Sequence, residues 1–320
     1  MLAFVFPGQG SQTVGMGRDL CAAYACSRDA FREADEVLGL PLGRTCFEGP
    51  ESELQLTAMA QPAILTASVA AWRALSEEGV RPQAVAGHSL GEYSALVAAG
   101  ALAFDRALVL VRKRGLYMQE AVPVGLGAMA AIMGLGEHVI DEVCQEASRP
   151  LRGEDRTQGV AEELVGAANL NAPGQIVISG HAAAVERAIA IAQQRGAKRA
   201  VKLAVSAPFH CPLMRPAAER LAPDLDAAAF ADLSVPLVTN VDAAPIRTGR
   251  EARESLKRQV TAPVLWEKSV STLADMGITR ALEVGPGRVL YGLIKRIDPR
   301  IECVAAGEAE AIVKLREVVR

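Results

Sequence analysis

Short apolar runs alternate along the chain with longer segments in which apolar residues recur at helical spacing. Leu2-Ala3-Phe4-Val5-Phe6 and Ala84-Val85-Ala86 are continuous apolar runs bounded by turn residues. Such runs suit strands buried on both faces of a parallel sheet. The segments between them predict helices: one opened by Gln61-Pro62 and closed by Gly79, one ending near Ala99, and one from Phe104 to about Val122. Between residues 125 and 205 the pattern changes. A strand at 128–133, a helix at 137–147, strands near 164–168 and 175–179, a helix at 182–195 and a strand at 198–205 give the order β-α-β-β-α-β. That order is the split-βαβ, ferredoxin-like motif. A polar stretch at 148–162 interrupts it and has no assignable role. After Ser206 the α/β pattern returns, with strands at 235–239 and 280–284, helices at 251–260 and 265–276, and Gly285-Pro286-Gly287 opening the last major helix. The expected fold is therefore α/β. A discontinuous core of residues 1–124 and 206–320 is built on a parallel sheet and interrupted by a small subdomain at 125–205.

Composition narrows the possibilities. A chain of 320 residues can bury a large core, and the 50 % hydrophobic content is mostly aliphatic, since aromatics make up only 4 %. The net charge of −3 leaves no basic field for nucleic acid. No basic segment precedes the first apolar run, and no run is long enough to span a bilayer. A cytoplasmic protein is the expectation, with no membrane partner. The six cysteines show no C-x-x-C and no metal spacing with histidine, so they read as reduced packing residues and no metal is expected.

The chemistry concentrates around Gly87-His88-Ser89-Leu90-Gly91, where an apolar run ends and a helical pattern starts at once. In that strand–turn–helix setting G-x-S-x-G reads as a nucleophile elbow. The glycines let strand and helix close around a strained Ser89, beside helix N-terminal N–H groups that favour a developing oxyanion. The plainer reading is a serine capping a helix. Upstream, Pro7-Gly8-Gln9-Gly10 follows the first strand. It lacks the spacing of a P-loop or a dinucleotide fingerprint, but Gln9 is placed to present a backbone N–H to a site at the strand ends.

A serine nucleophile needs a base, and four histidines are available. His88 should face away from its neighbour Ser89 on the strand. His138 and His181 fall near helix starts in the small subdomain, where capping or surface roles are commoner. His210 remains, in a loop pinned by Pro208 and Pro212. No acid stands on a core strand end between Ser89 and His210, so a backbone or side-chain carbonyl would have to orient the imidazole. Cys211 is a rival nucleophile that lacks a glycine elbow. In Arg112-Lys113-Arg114, charges on a helix usually form a solvated face. Gly115 sets Arg114 apart by thinning the helix where something can approach.

Taken in order, Phe6-Pro7-Gly8-Gln9-Gly10, Gly87-His88-Ser89-Leu90-Gly91-Glu92, Val111-Arg112-Lys113-Arg114-Gly115, Asn169-Leu170-Asn171-Ala172-Pro173-Gly174-Gln175, Ser206-Ala207-Pro208-Phe209-His210 and Gln259 resemble the motifs of malonyl-CoA:acyl-carrier-protein transacylases. This is the acyltransferase family of fatty-acid and polyketide synthesis. The resemblance covers essentially the whole chain and implies an α/β-hydrolase-like core with an inserted ferredoxin-like subdomain. It implies Ser89 as acylated nucleophile, His210 as general base and acid, and the N–H groups of Gln9 and Leu90 as oxyanion hole. Arg114 would hold the malonyl carboxylate, and Gln259 would orient the imidazole through its carbonyl. Asn169 and Asn171 would line the groove between subdomains, with Gln61 a further match. Phe209 resembles the malonyl-selecting pattern, in which bulk crowds an α-methyl branch. The implied partners are malonyl-CoA and an acidic acyl carrier protein, approached by basic residues such as Lys113, Lys198 and Arg199; the implied state is a monomer without a cofactor. A polyketide-pathway acyltransferase of the same chemistry, a serine esterase and an inactive acyl-binding partner are the competing readings.

Overall fold

The structure is a computed structural model that describes residues 1–148, 163–205 and 207–319. Nearly all of the polar stretch expected at 148–162, and Ser206, lie outside the described residues. Among the described residues, ten strands form two sheets: β1 (Leu2–Phe6), β2 (Ala84–Gly87), β3 (Gly127–Met133), β4 (Val165–Ala172), β5 (Gln175–His181), β6 (Arg199–Lys202), β7 (Leu237–Val238), β8 (Pro245–Ile246), β9 (Arg280–Glu283) and β10 (Glu302–Ala305). The larger sheet runs β10-β9-β1-β2-β7-β8 and is parallel except for β8, which turns back along β7. Its central strands are apolar on both faces because helices cover both. Phe4, Phe6 and Val85 pack against helices Thr57–Glu77 and Gly91–Ala98, and Ala3, Val5 and Ala86 against Trp266–Asp275 and Val289–Ile297.

The smaller sheet is antiparallel, in the order β4-β5-β3-β6, and carries helices Glu137–Ser148 and Ala182–Gln194. Numbered from β3, that is 4-1-3-2 read from β6, the ferredoxin-like order that β-α-β-β-α-β predicts. The two sheets are stitched where Asn169 of β4 bridges to Val264, with Leu170 N–H donating to Val264 and Val264 N–H to Ala168, both at 2.9 Å.

Four expectations are corrected. Gln61-Pro62 does not open a helix: the helix begins at Thr57, with Pro62 inside it. Proline has no N–H for the Ala58 carbonyl four residues back, and Arg112 Nη1 donates to that oxygen instead, at 3.1 Å. Nor is this helix amphipathic, since it is buried almost all round. At the C-terminal end, the helix opened by Gly287 is not the last element, because β10 and helix Ala309–Val319 follow it. The strand at 235–239 is cut to two residues, and its antiparallel partner β8 carried no strand signal.

Candidate active site

Strands β1 and β2 run side by side and end level, with Phe6 opposite Gly87. The loops leaving them therefore meet at the carboxyl edge of the sheet, where α/β proteins place their ligands. A methyl group on Gly87 would come within 2.0 Å of the Gly91 carbonyl, one on Gly91 within 2.0 Å of Phe6 O, and one on Gly8 within 2.4 Å of His88 O. Only hydrogen fits at these three crossings. Squeezed between them, Ser89 adopts φ 51°, left-handed backbone that a non-glycine residue occupies at a cost. His210 does the same at φ 58°.

These two strained residues meet. Ser89 Oγ lies 2.7 Å from His210 Nε2, and His210 Nδ1 lies 3.0 Å from the backbone carbonyl of Gln259. A carbonyl only accepts, so Nδ1 carries the proton and Nε2 presents its lone pair to the hydroxyl. The His210 side chain is buried, which pushes its pKa down to about 3, aided by the Arg114 charge. It therefore stands neutral, ready to take a proton. Among the described residues, neither Gln9 N–H nor Leu90 N–H has a backbone or side-chain acceptor, and both belong to the loops flanking Ser89. Ser89 N–H is committed to Asn240 Oδ1 at 2.6 Å.

Arg114 reaches the same point from helix Phe104–Glu120. Gly115 allows this: a methyl group there would come within 2.7 Å of Thr57 O, so only glycine lets this helix lie so close to Thr57–Glu77. Although the guanidinium is 1 % exposed, no carboxylate of the described residues lies within 4.0 Å of it. Its donors go to neutral oxygens: Gln61 Oε1 at 2.8 Å, Gln259 Oε1 at 3.0 Å and Ser89 Oγ at 3.1 Å. Nε has no partner. A buried cation so placed is prepared for an anion.

The other residues singled out in the sequence fall as follows. Gln61 touches Arg114 directly, and buried Phe209 precedes His210. Asn171 Oδ1 pairs with His88 Nε2 at 2.8 Å, and His88 stacks edge-on against Trp266, so both support the elbow from behind. Asn169 contributes through its backbone bridge to Val264. Cys211 is no rival to Ser89: its thiol donates to Pro208 O at 3.1 Å, and burial pushes its pKa up, away from thiolate. Of the basic residues considered for carrier docking, Lys113 is paired with Asp224. Among the described residues no cluster of His, Cys, Asp or Glu could hold a metal ion, and no helix is long and apolar enough to cross a membrane.

Two residues at the centre escaped sequence reasoning. Asn240 holds both ends of the turn, accepting from Ser89 N–H and donating Nδ2 to Gly87 O at 2.6 Å. It lies just beyond β7, at the same sheet edge as Ser89, a neighbourhood set only by the pairing of β7 with β2. Glu92 lies inside the elbow motif, but nothing local says that a helix-start carboxylate is buried. A cavity of about 1740 Å³ lies elsewhere, against Met16, Arg18, Gly287 and Lys314. Converging chemistry, rather than volume, marks the site.

The chain is similar to known proteins over nearly its whole length. The acyl transferase domain family matches residues 3–296. Malonyl CoA-acyl carrier protein transacylase of Bacillus subtilis (strain 168) is 48 % identical over 313 residues, 97 % of this chain and 95 % of that protein. Its namesake in Escherichia coli (strain K12) is 47 % identical over 317 residues, 99 % of each. The solved malonyl CoA-acyl carrier protein transacylase of Coxiella burnetii superposes with a TM-score of 0.93 at 44 % identity, covering 99 % of this chain and 96 % of that one. A malonyl-transacylase solved in complex with a type II PKS acyl-carrier protein gives 0.93 at 45 % identity, covering 99 % of each. With a family match this long, and relatives almost half identical from end to end, the chain belongs to the acyl transferase family.

Proposed function

We propose that this protein moves a malonyl group from coenzyme A to the phosphopantetheine thiol of an acyl carrier protein, by way of a malonyl ester on Ser89. The observation that carries this reading is one oxygen with two partners. Ser89 Oγ is held by a neutral imidazole at 2.7 Å and a buried guanidinium at 3.1 Å. The first makes it a nucleophile; the second supplies a charge that an anionic acyl group needs and an uncharged one does not.

His210 Nε2 takes the hydroxyl proton as Oγ attacks the thioester carbonyl. The tetrahedral oxyanion is received by the N–H groups of Gln9 and Leu90. Collapse expels the coenzyme A sulfur, which leaves with the proton from His210, and malonyl-Ser89 remains. The carrier thiol then gives its proton to His210, attacks the ester, and is released as the malonyl thioester while Ser89 recovers its proton. The two half-reactions are near mirror images, so the kinetics are ping-pong. The malonyl carboxylate pairs with Arg114 in a bidentate manner. Its charge also offsets the guanidinium's push on His210, raising the base's affinity for a proton when substrate is present. No step requires a metal or a cofactor. A carbonyl in place of a triad acid is sufficient, because the third group only has to hold the tautomer.

The domains follow the same reading: a discontinuous core of 1–124 and 206–320 supplies the nucleophile, base and guanidinium, and 125–205 is the ferredoxin-like subdomain set beside them. The proposed setting is the cytoplasm, where fatty-acid synthesis consumes malonyl carrier. The alternative, supplying a polyketide carrier, is favoured by the likeness to the relative solved with such a carrier. The test is incubation with malonyl-CoA and intact-mass measurement. A malonyl adduct should appear, vanish in Ser89→Ala, and pass to carrier protein when it is added; comparing a fatty-acid with a polyketide carrier decides the pathway. Loss of the adduct to water faster than to either carrier would favour an esterase instead.

A further inference from the structure

Glu92 is fully buried in the first turn of the elbow helix, and the reaction just described leaves it without a role. Three donors converge on its carboxyl group: Asn240 N–H and Gln259 Nε2–H on Oε2, both at 3.0 Å, and Ser255 Oγ–H on Oε1 at 3.3 Å. Burial pushes the group up to about 7, with the donors and Arg114 pulling it back down. Taking a carboxyl group out of water is costly, and an apolar side chain would pack there at less expense. Its presence calls for a physical reason.

Gln259 provides one. Its Nε2 donates to Glu92 Oε2 and Ser89 O, each at 3.0 Å, while its Oε1 accepts from Arg114 Nη2. Turned over, the amide would set its oxygen against two oxygens and its N–H groups against a guanidinium. The backbone carbonyl of the same residue orients His210. We propose that Glu92 is a positioning residue, which fixes the Gln259 amide with its oxygen towards Arg114 and so seats the guanidinium where the acyl carboxylate must land. The inference rests on the malonyl-transfer reading and deepens it, placing part of the preference for a charged acyl group one residue behind the cation.

The hydrogen bonds, rather than the charge, do this work. A neutral Glu92 can donate from Oε1 to Ser255 Oγ and still accept on Oε2, as the amide of Glu92→Gln would. Glu92→Met has nearly the same volume but no strong acceptor. The experiment measures single-turnover acylation of Ser89 by malonyl-CoA and by acetyl-CoA in separate reactions, read by intact mass. The ratio of the two rates does not depend on how much of a variant is folded. Glu92→Gln should keep that ratio within about threefold of the unaltered protein, and Glu92→Met should lower it about tenfold or more. An unchanged ratio in Glu92→Met overturns the proposal, and so does an equal fall in both variants. Should Glu92→Met not fold, Gln259→Met tests the other end of the link while keeping the backbone carbonyl for His210. It should show the same fall, and a retained ratio there overturns the proposal. Absence of any malonyl adduct on the unaltered protein would strike at the transfer reading itself, not at Glu92.

Discussion

Arg114 and His210 are each useful because burial denies them their ordinary surroundings. Lysine at position 114 would keep the charge and lose the planar fork that reaches Gln61, Gln259 and Ser89 together. Arg114→Lys should lower kcat/KM for malonyl-CoA by about 2 kcal/mol or more of transition-state stabilisation. Acetyl-CoA, which has no carboxylate to lose, should be affected far less, and parallel steady-state assays check this. His210 makes a separate prediction about stability. Its pKa is depressed in the folded protein, to about 3, below the value near 6.5 of an exposed histidine. The unfolded chain therefore binds the extra proton first, and folding loses stability as pH falls below about 6.5. In His210→Gln that loss is removed. Urea denaturation from pH 7 to pH 5 should show the variant gaining on the unaltered protein by up to about 1.4 kcal/mol per pH unit below 6.5. A constant difference would mean that His210 protonates freely in the fold.

Elements carry the geometry through close approaches, and these are where substitution is felt most. Gly91→Ala would drive a methyl group to 2.0 Å from Phe6 O, backbone that cannot move without parting β1 from β2. Gly292 lies in helix Val289–Ile297 with nothing within 4 Å of a methyl group. Gly91→Ala should cost about 1–3 kcal/mol or more by overpacking, whereas Gly292→Ala should gain about 0.4–1 kcal/mol by stiffening the unfolded chain. Equilibrium unfolding of the two variants side by side measures both signs. Gly87 and Gly91 were legible in the sequence because the requirement is local: a strand, a turn and a helix in fourteen residues or so, the span of one supersecondary unit. The β-α-β-β-α-β order was legible for the same reason. Helix Thr57–Glu77 was misread because its proline is tolerated through Arg112, a residue fifty positions on that supplies the missing donor. Asn240 and the buried state of Glu92 were invisible because each depends on which strands become neighbours. Strand β7 lies beside β2 though some 150 residues separate them, and no local pattern announces that pairing.

Across the whole molecule, the site is supported from both sheets. Ser89, His210 and Arg114 all come from the parallel-sheet core, yet the back of the elbow is braced by the inserted sheet. His88 sits beside Ser89 and faces Asn171 of β4, with Trp266 at its edge. Burial pushes His88 down in pKa, so the ring is neutral, and Nε2–H donates to the asparagine oxygen. Asn171→Ala would leave that N–H facing apolar surroundings and cut a tie between the lobes, at a cost of about 1–3 kcal/mol. None of the atoms that take part in transfer would be touched. Stability, followed by thermal or urea unfolding, should therefore fall while single-turnover acylation by saturating malonyl-CoA keeps its rate within about twofold. A different outcome is expected for the ester once formed. If the inserted sheet helps to close the groove against water, loosening it should raise hydrolysis of malonyl-Ser89 relative to transfer. Chasing the adduct with and without carrier protein separates the two rates. Unchanged partitioning together with lowered stability would confine the inserted sheet to a structural role, and a lost acylation rate would mean that His88 acts on the nucleophile more directly than its position behind the strand implies.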